Sequence, residues 1–177
     1  MMRIRKHRPE KGFSMVELLI VVAMIAIASL IAVPMIRNMG RAGQIRAAAR
    51  QWMGDVRQLR QTCVTQMARG RIEFSTGTSA RTYQAYISLD KGTTWETSGP
   101  QRTLGGDVYF VSTTFVDEGG TSAPDLLFFP NGSLSKASGA LTSGDVVIQI
   151  PTSSIQWNRY TLSHTSTGQI TIARSHV

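Results

Sequence analysis

Residues 13–36 form an apolar run broken only by Ser14, Glu17, Ser29 and Pro34. As a helix, this run would rise roughly 36 Å, enough to cross a hydrocarbon layer of about 30 Å. A segment so long and so apolar on every side has no place as the half-buried helix of a small domain. It can span a bilayer, and it separates a short basic stretch from one globular head. Glu17 stands out against this background. A lone carboxylate in hydrocarbon is costly, so an acid within a span is a functional residue in need of a partner.

The formal net charge of +8 suggests nucleic acid or anionic lipid until it is located along the chain. Residues 1–12 set Arg3, Arg5, Lys6, Arg8 and Lys11 against Glu10, a net +4. Between residues 37 and 69, Arg37, Arg41, Arg46, Arg50, Arg57, Arg60 and Arg69 face only Asp55. From residue 71 onward seven Lys or Arg meet eight Asp or Glu, a net of −1. The head is therefore not a basic domain. About 140 residues remain beyond the span, enough for one modest core. The single cysteine, Cys63, can form no internal disulfide, so that core must hold without one.

After the span the helical pattern continues. Ile45, Ala49, Trp52, Val56, Leu59, Cys63 and Met67 recur at spacings of three and four, the stripe of a helix that packs on a core. Arg46, Arg50, Arg57 and Arg60 lie within about 40° of a common direction, roughly a right angle from that stripe. They read either as a solvated face or as a contact surface for acidic groups on neighbouring subunits or lipid headgroups. Beyond Gly70, runs rich in Val, Ile, Thr, Tyr and Phe predict strands at 71–75, 82–89, 107–112, 125–129, 145–150, 159–164 and 169–174. Asn131-Gly132 and Thr167-Gly168 are turn signals, the second closing a C-terminal hairpin. The fold class is α+β: one long N-terminal helix, kinked or locally unwound between residues 28 and 34 because Pro34 cannot donate to Leu30, packed on a mainly antiparallel sheet.

Three processing schemes compete for the N-terminus. A secretory signal would be cut after Ala26-Ile27-Ala28, yet the apolar run continues past that point. A plain signal anchor fits poorly, because arginines follow the span almost as densely as basic residues precede it. Neither explains Glu17. Lys11-Gly12-Phe13-Ser14-Met15-Val16-Glu17-Leu18-Leu19 resembles the class III signal of type IV pilins and type II secretion pseudopilins. Pro34 also falls where many pilins carry a proline. Phe129-Pro130-Asn131-Gly132-Ser133 resembles a turn in the heads of the GspH/FimT branch of that family.

The resemblance implies a pilin-like fold in four parts: a leader at 1–12, removed by prepilin peptidase; a membrane and filament-core helix at 13–36; an amphipathic helix at 37–70; and a β-rich head at 71–177. It implies cleavage between Gly12 and Phe13, methylation of the new Phe13 amine, and pairing of Glu17 with that amine on an adjacent subunit. The chain would be a minor pseudopilin, anchored once in the bacterial inner membrane with its head in the periplasm or outside. It would assemble with other pilins for type II secretion or a related type IV pilus. The alternative within the family is a FimT-like minor pilin that binds DNA for uptake. Its contacts here would be Arg159 and Arg174, with Lys136 as a third candidate, and Gln169 stands where such a tail would carry its first arginine. So few cations on a net-negative head make it a poor match for nucleic acid on charge grounds.

No constellation predicts catalysis. Ser88-Leu89-Asp90-Lys91-Gly92-Thr93-Thr94-Trp95 resembles the Asp-box hairpin of sialidase-type propellers, a folding device when present in one copy. Candidates for a base beside a nucleophile are thin: His7 lies near the N-terminus, His164 and His176 lie near the C-terminus, and Cys63 sits on the apolar stripe. No spacing predicts zinc, and Asp117-Glu118-Gly119-Gly120 offers too few oxygens for calcium by itself. The expectation is a structural component, not an enzyme, with no cofactor.

Overall fold

A computed structural model describes residues 14–115, 125–135, 141–151 and 158–175. The element order is α1 (Met15–Thr65), β1 (Arg69–Phe74), β2 (Thr82–Ser88), β3 (Glu96–Thr97), β4 (Arg102–Thr103), β5 (Tyr109–Thr113), β6 (Asp125–Phe128), β7 (Gly144–Gln149), β8 (Arg159–His164) and β9 (Ile170–Ser175). Backbone contacts divide the chain into two units, Met1–Arg37 and Asn38–Val177.

In the first unit α1 is preceded by Ser14, whose carbonyl accepts the Leu18 N–H. Ser14 is thus the N-cap and Glu17 falls at the third helical position, the Ser-x-x-Glu spacing of a capping box. Every residue from 28 to 34 is helical in this conformation, so the stretch is not unwound here; the expectation of a kink or unwinding more marked in a filament than in a membrane concerns another state. Proline removes one hydrogen bond from the ladder, and the bonds of the adjoining turns keep the helix closed.

In the second unit the stripe is buried as predicted at Ile45, Ala49, Trp52, Val56, Leu59 and Cys63, but Met67 is 76% exposed. The helix stops at Thr65, short of the expected boundary at Gly70, which lies inside β1. Met67 adopts φ 53°, and the Ala68 N–H reaches back to the Cys63 carbonyl at 3.0 Å. This is a Schellman-type stop with methionine where glycine is usual. The left-handed residue turns its side chain outward, so the helical period no longer applies to it.

The strands form two sheets rather than one. The first has the order β3-β2-β1-β6, with β4 pairing the other end of β2; the second runs β5-β7-β8-β9. All pairings are antiparallel. The seven predicted strands are present with shifted ends, and the two-residue β3 and β4 were not foreseen. Alternation sets the faces: Ile72 and Phe74 on β1, and Tyr160, Leu162 and His164 on β8, point inward. Trp52 lies between helix and sheets, its ring edge-to-face with Phe74, Tyr83 and Phe110 at centroid distances of 5.2, 5.0 and 5.1 Å. These rings, drawn from α1, β1, β2 and β5, are the centre of the core.

The turns behave as their sequences suggest. Gly132 (φ 75°) and Gly168 (φ 78°) occupy the left-handed region, and the Asn131 side chain accepts from both the backbone and the hydroxyl of Ser133. Thr165–Gln169 backbone pairing closes the β8–β9 hairpin.

Candidate functional site

The helical part of the first unit is uncovered on all sides. Met15, Leu18, Leu19, Met24, Leu30 and Ile31 expose from 57% to 81% of their surface. Full burial of one such side chain contributes about 1.5–3 kcal/mol, so this segment is stable only in lipid or against partner helices. It is long and apolar enough to cross a membrane. Glu17 lies exposed in the first turn, and among the described residues nothing pairs with its carboxylate. The local effect of an acid at a helix N-terminus, about 0.3–1 kcal/mol, is small against the cost of taking that acid into hydrocarbon unpaired. Gly12 and Phe13 lie outside the described residues.

The arginine row divides. Arg46, Arg50 and Arg57 are exposed, whereas Arg60 is half-buried and donates Nε–H to the Gly132 carbonyl at 2.9 Å. Arg60 also packs so closely on Gly168 that a Cβ there would lie 2.6 Å from its Nε. The side chain joins the helix to the Phe129–Ser133 turn and to the β8–β9 turn. It lies about 40° nearer the apolar stripe than Arg46 does, which is why it reaches the head and the others do not.

Arg159 and Arg174 are not brought together. Arg159 is held by the Gln149 amide oxygen, while Arg174 is paired across the ladder with Tyr160 and lies over its ring at 5.8 Å. Adjacent residues on a strand point to opposite faces, so the two arginines occupy opposite faces of the sheet. Lys136, Asp117, Glu118 and His176 fall outside the described residues.

The Asp-box hairpin is built as a turn. Asp90 accepts from Ser88 Oγ at 2.7 Å, from the Thr93 and Thr94 amides and from Thr94 Oγ1 at 2.6 Å. These donors, the Thr94 hydroxyl foremost, hold its carboxyl well below the usual range. All of its oxygens are thereby committed within the turn. Arg71 stacks on Trp95 at 4.6 Å and on Tyr86 at 5.3 Å and pairs with Glu73 at 2.6 Å, which fixes the hairpin to β1.

Two polar pairs that periodicity could not reveal lie within the head. The Trp52 indole donates to His164 Nε2 at 3.3 Å; the other ring nitrogen, Nδ1, then carries the proton and faces the Leu162 carbonyl at 2.9 Å. Burial pulls the His164 pKa down to about 4, so the ring is neutral. The Tyr83 hydroxyl donates to Asp55, and Gln51 donates to that hydroxyl at 3.1 Å. Burial, then Asp55, raises the Tyr83 pKa well above its ordinary value. Asp55, Tyr83 and Arg102 rim a groove of about 190 Å³ floored by Leu59 and Ile72. Cys63 is buried, and burial pushes its thiol up to about 12, which leaves it a small apolar group. Among the described residues no His, Cys, Asp or Glu cluster could hold a metal.

An uncovered apolar helix with an acid in its first turn, joined in sequence to a β-rich head, has the length and composition of a membrane anchor. Residues 7–33 match a family model described as the prokaryotic N-terminal methylation motif, so the chain carries that motif, with Gly12, Phe13 and Glu17 inside it. The search of curated proteins gave no match. Among solved structures, the chain is similar to the minor pseudopilin EpsH from the type 2 secretion system of Vibrio cholerae. The TM-score is 0.46 at 13% identity over 73% of this chain and 94% of that one.

Proposed function

We propose that this chain is a minor pilin-like subunit of an envelope filament, of the kind built by type II secretion and type IV pilus machines, and that its role is structural. The observation that carries this reading is the coincidence of the methylation motif at residues 7–33 with a helix whose apolar surface is wholly uncovered. A motif that directs cleavage before Phe13 keeps the span, which a secretory cut would discard.

In this reading, cleavage after Gly12 on the cytoplasmic side leaves Phe13 with a cationic, methylated amine. Glu17 docks against that amine on the neighbouring subunit as the span passes from lipid into the filament. Two charges that are each costly alone neutralise one another, so the correct axial register is favoured over others. The single-pass anchor holds the head on the periplasmic side until then. Prepilin peptidase, the other pilins and inner-membrane lipid are the partners. The DNA-uptake alternative draws no support from two arginines on opposite faces of a sheet.

The test is Glu17→Leu at native expression. The variant is expected to insert and to be processed normally, but to be recovered with the filament at a small fraction of the wild-type level. Equal incorporation would remove the proposed role of Glu17.

A further inference from the structure

We propose that the exposed row Arg46, Arg50 and Arg57 docks onto a carboxylate-bearing face of a different subunit in the same assembly. The inference rests on the filament reading above and names a partner surface that this reading leaves open.

The three side chains lie within about 40° of one another on α1, spaced about 6 Å and about 10 Å along its axis. All are exposed. The helix offers them no internal counter-ion. Asp55, the one acid between residues 37 and 69, lies about 180° around from Arg46 and is engaged by Tyr83. The row's fourth member by sequence, Arg60, is committed to Gly132. What remains is a compact cationic strip on a rigid, core-packed helix.

Residue choice argues for a protein partner. Residues 37–69 contain seven arginines and no lysine. A diffuse attraction to anionic headgroups is served by either residue. The planar guanidinium fork is distinguished by bidentate carboxylate pairing, and arginine is enriched at protein interfaces where lysine is depleted.

The head's own acids argue against a second copy of this chain as that partner. Glu73 is paired with Arg71 and Asp107 with Arg81. Asp90 is consumed by its turn, and Asp125 is buried. Glu96 on β3 and Asp145 on β7 stand on different sheets. Among the described residues no row of carboxylates matches three arginines, which favours a chain of different sequence as the partner; Asp117 and Glu118 lie outside the described residues.

The test places a photoreactive p-benzoylphenylalanine at Gln61, exposed one turn beyond Arg57, in the full chain expressed at native level. The expected adduct is with a different pilin-like polypeptide, at a peptide rich in Asp and Glu. Its yield should fall about tenfold or more in the R46E/R50E/R57E variant and by less in the triple Arg→Lys variant, which keeps charge without the fork. Wild-type-like thermal unfolding of both variants is the control for folding. An adduct with a second copy of this chain, an adduct with phospholipid, no adduct, or a yield unchanged by charge reversal would each overturn the proposal. The N-terminus of the same samples, read by mass spectrometry, reports separately on the filament reading.

Discussion

Single residues carry the sharpest energetic consequences. His164 is neutral and buried in the fold, with a pKa of about 4 against an ordinary 6.5. Between those values the unfolded chain binds the additional proton. The head therefore has its full stability from this group above about pH 6.5 and loses it as the pH falls towards about 4, by on the order of 2–3 kcal/mol. Urea unfolding of the detergent-solubilised chain across that range should show the loss. His164→Gln should flatten it while lowering stability at neutral pH, because the Trp52 N–H must find a new acceptor. Met67 makes the opposite case. Its left-handed backbone costs about 1 kcal/mol in any residue but glycine, and its side chain is exposed. Met67→Gly is expected to raise stability by about 0.5–1 kcal/mol in the same assay. Sequence period placed Met67 in the core; the helix stop, set by a three-dimensional cap, put it outside.

At the scale of elements, the helix and its turns depend on each other through Arg60. Gly168→Ala would put a Cβ 2.6 Å from Arg60 Nε and 3.0 Å from the Gly132 carbonyl, at φ 78°. A loss of about 1–3 kcal/mol is expected in thermal or urea unfolding, whereas Gly54→Ala, open on its helix face, should gain about 0.5–1 kcal/mol. Alternation and turn chemistry made seven strands and both turns legible, because each is a local pattern. The short β3 and β4 were not, since two residues carry no period and pair only because β2 is already in place. The division of the strands into two sheets was hidden for the same reason. Pro34 belongs at this scale as well. Its missing donor leaves the helix intact here, so any opening of residues 28–34 would accompany assembly. Comparing amide exchange there in the membrane and in the filament for wild type and Pro34→Leu tests this. Faster exchange in the wild-type filament alone is the expected result.

For the molecule as a whole, the functional reading follows from the difference between its two units. One unit closes its core around Trp52 and covers its apolar stripe; in the other, the apolar side chains of the described residues are exposed. The apolar helix and its carboxylate were legible in the sequence because a run long and apolar enough to cross a membrane needs no tertiary information. The fate of the arginines was only partly legible: helical period puts Arg60 nearer the apolar stripe than Arg46, Arg50 and Arg57, but the turns at Gly132 and Gly168 that it meets are brought there by the fold. In the proposed function the apolar run is retained and its first residue becomes a charged partner for Glu17. Intact-mass and N-terminal peptide mass spectrometry of the chain purified from its native membrane tests this most directly. A chain beginning at N-methylated Phe13 is expected; a chain beginning at Ser29 or at Met1 would contradict the proposed processing.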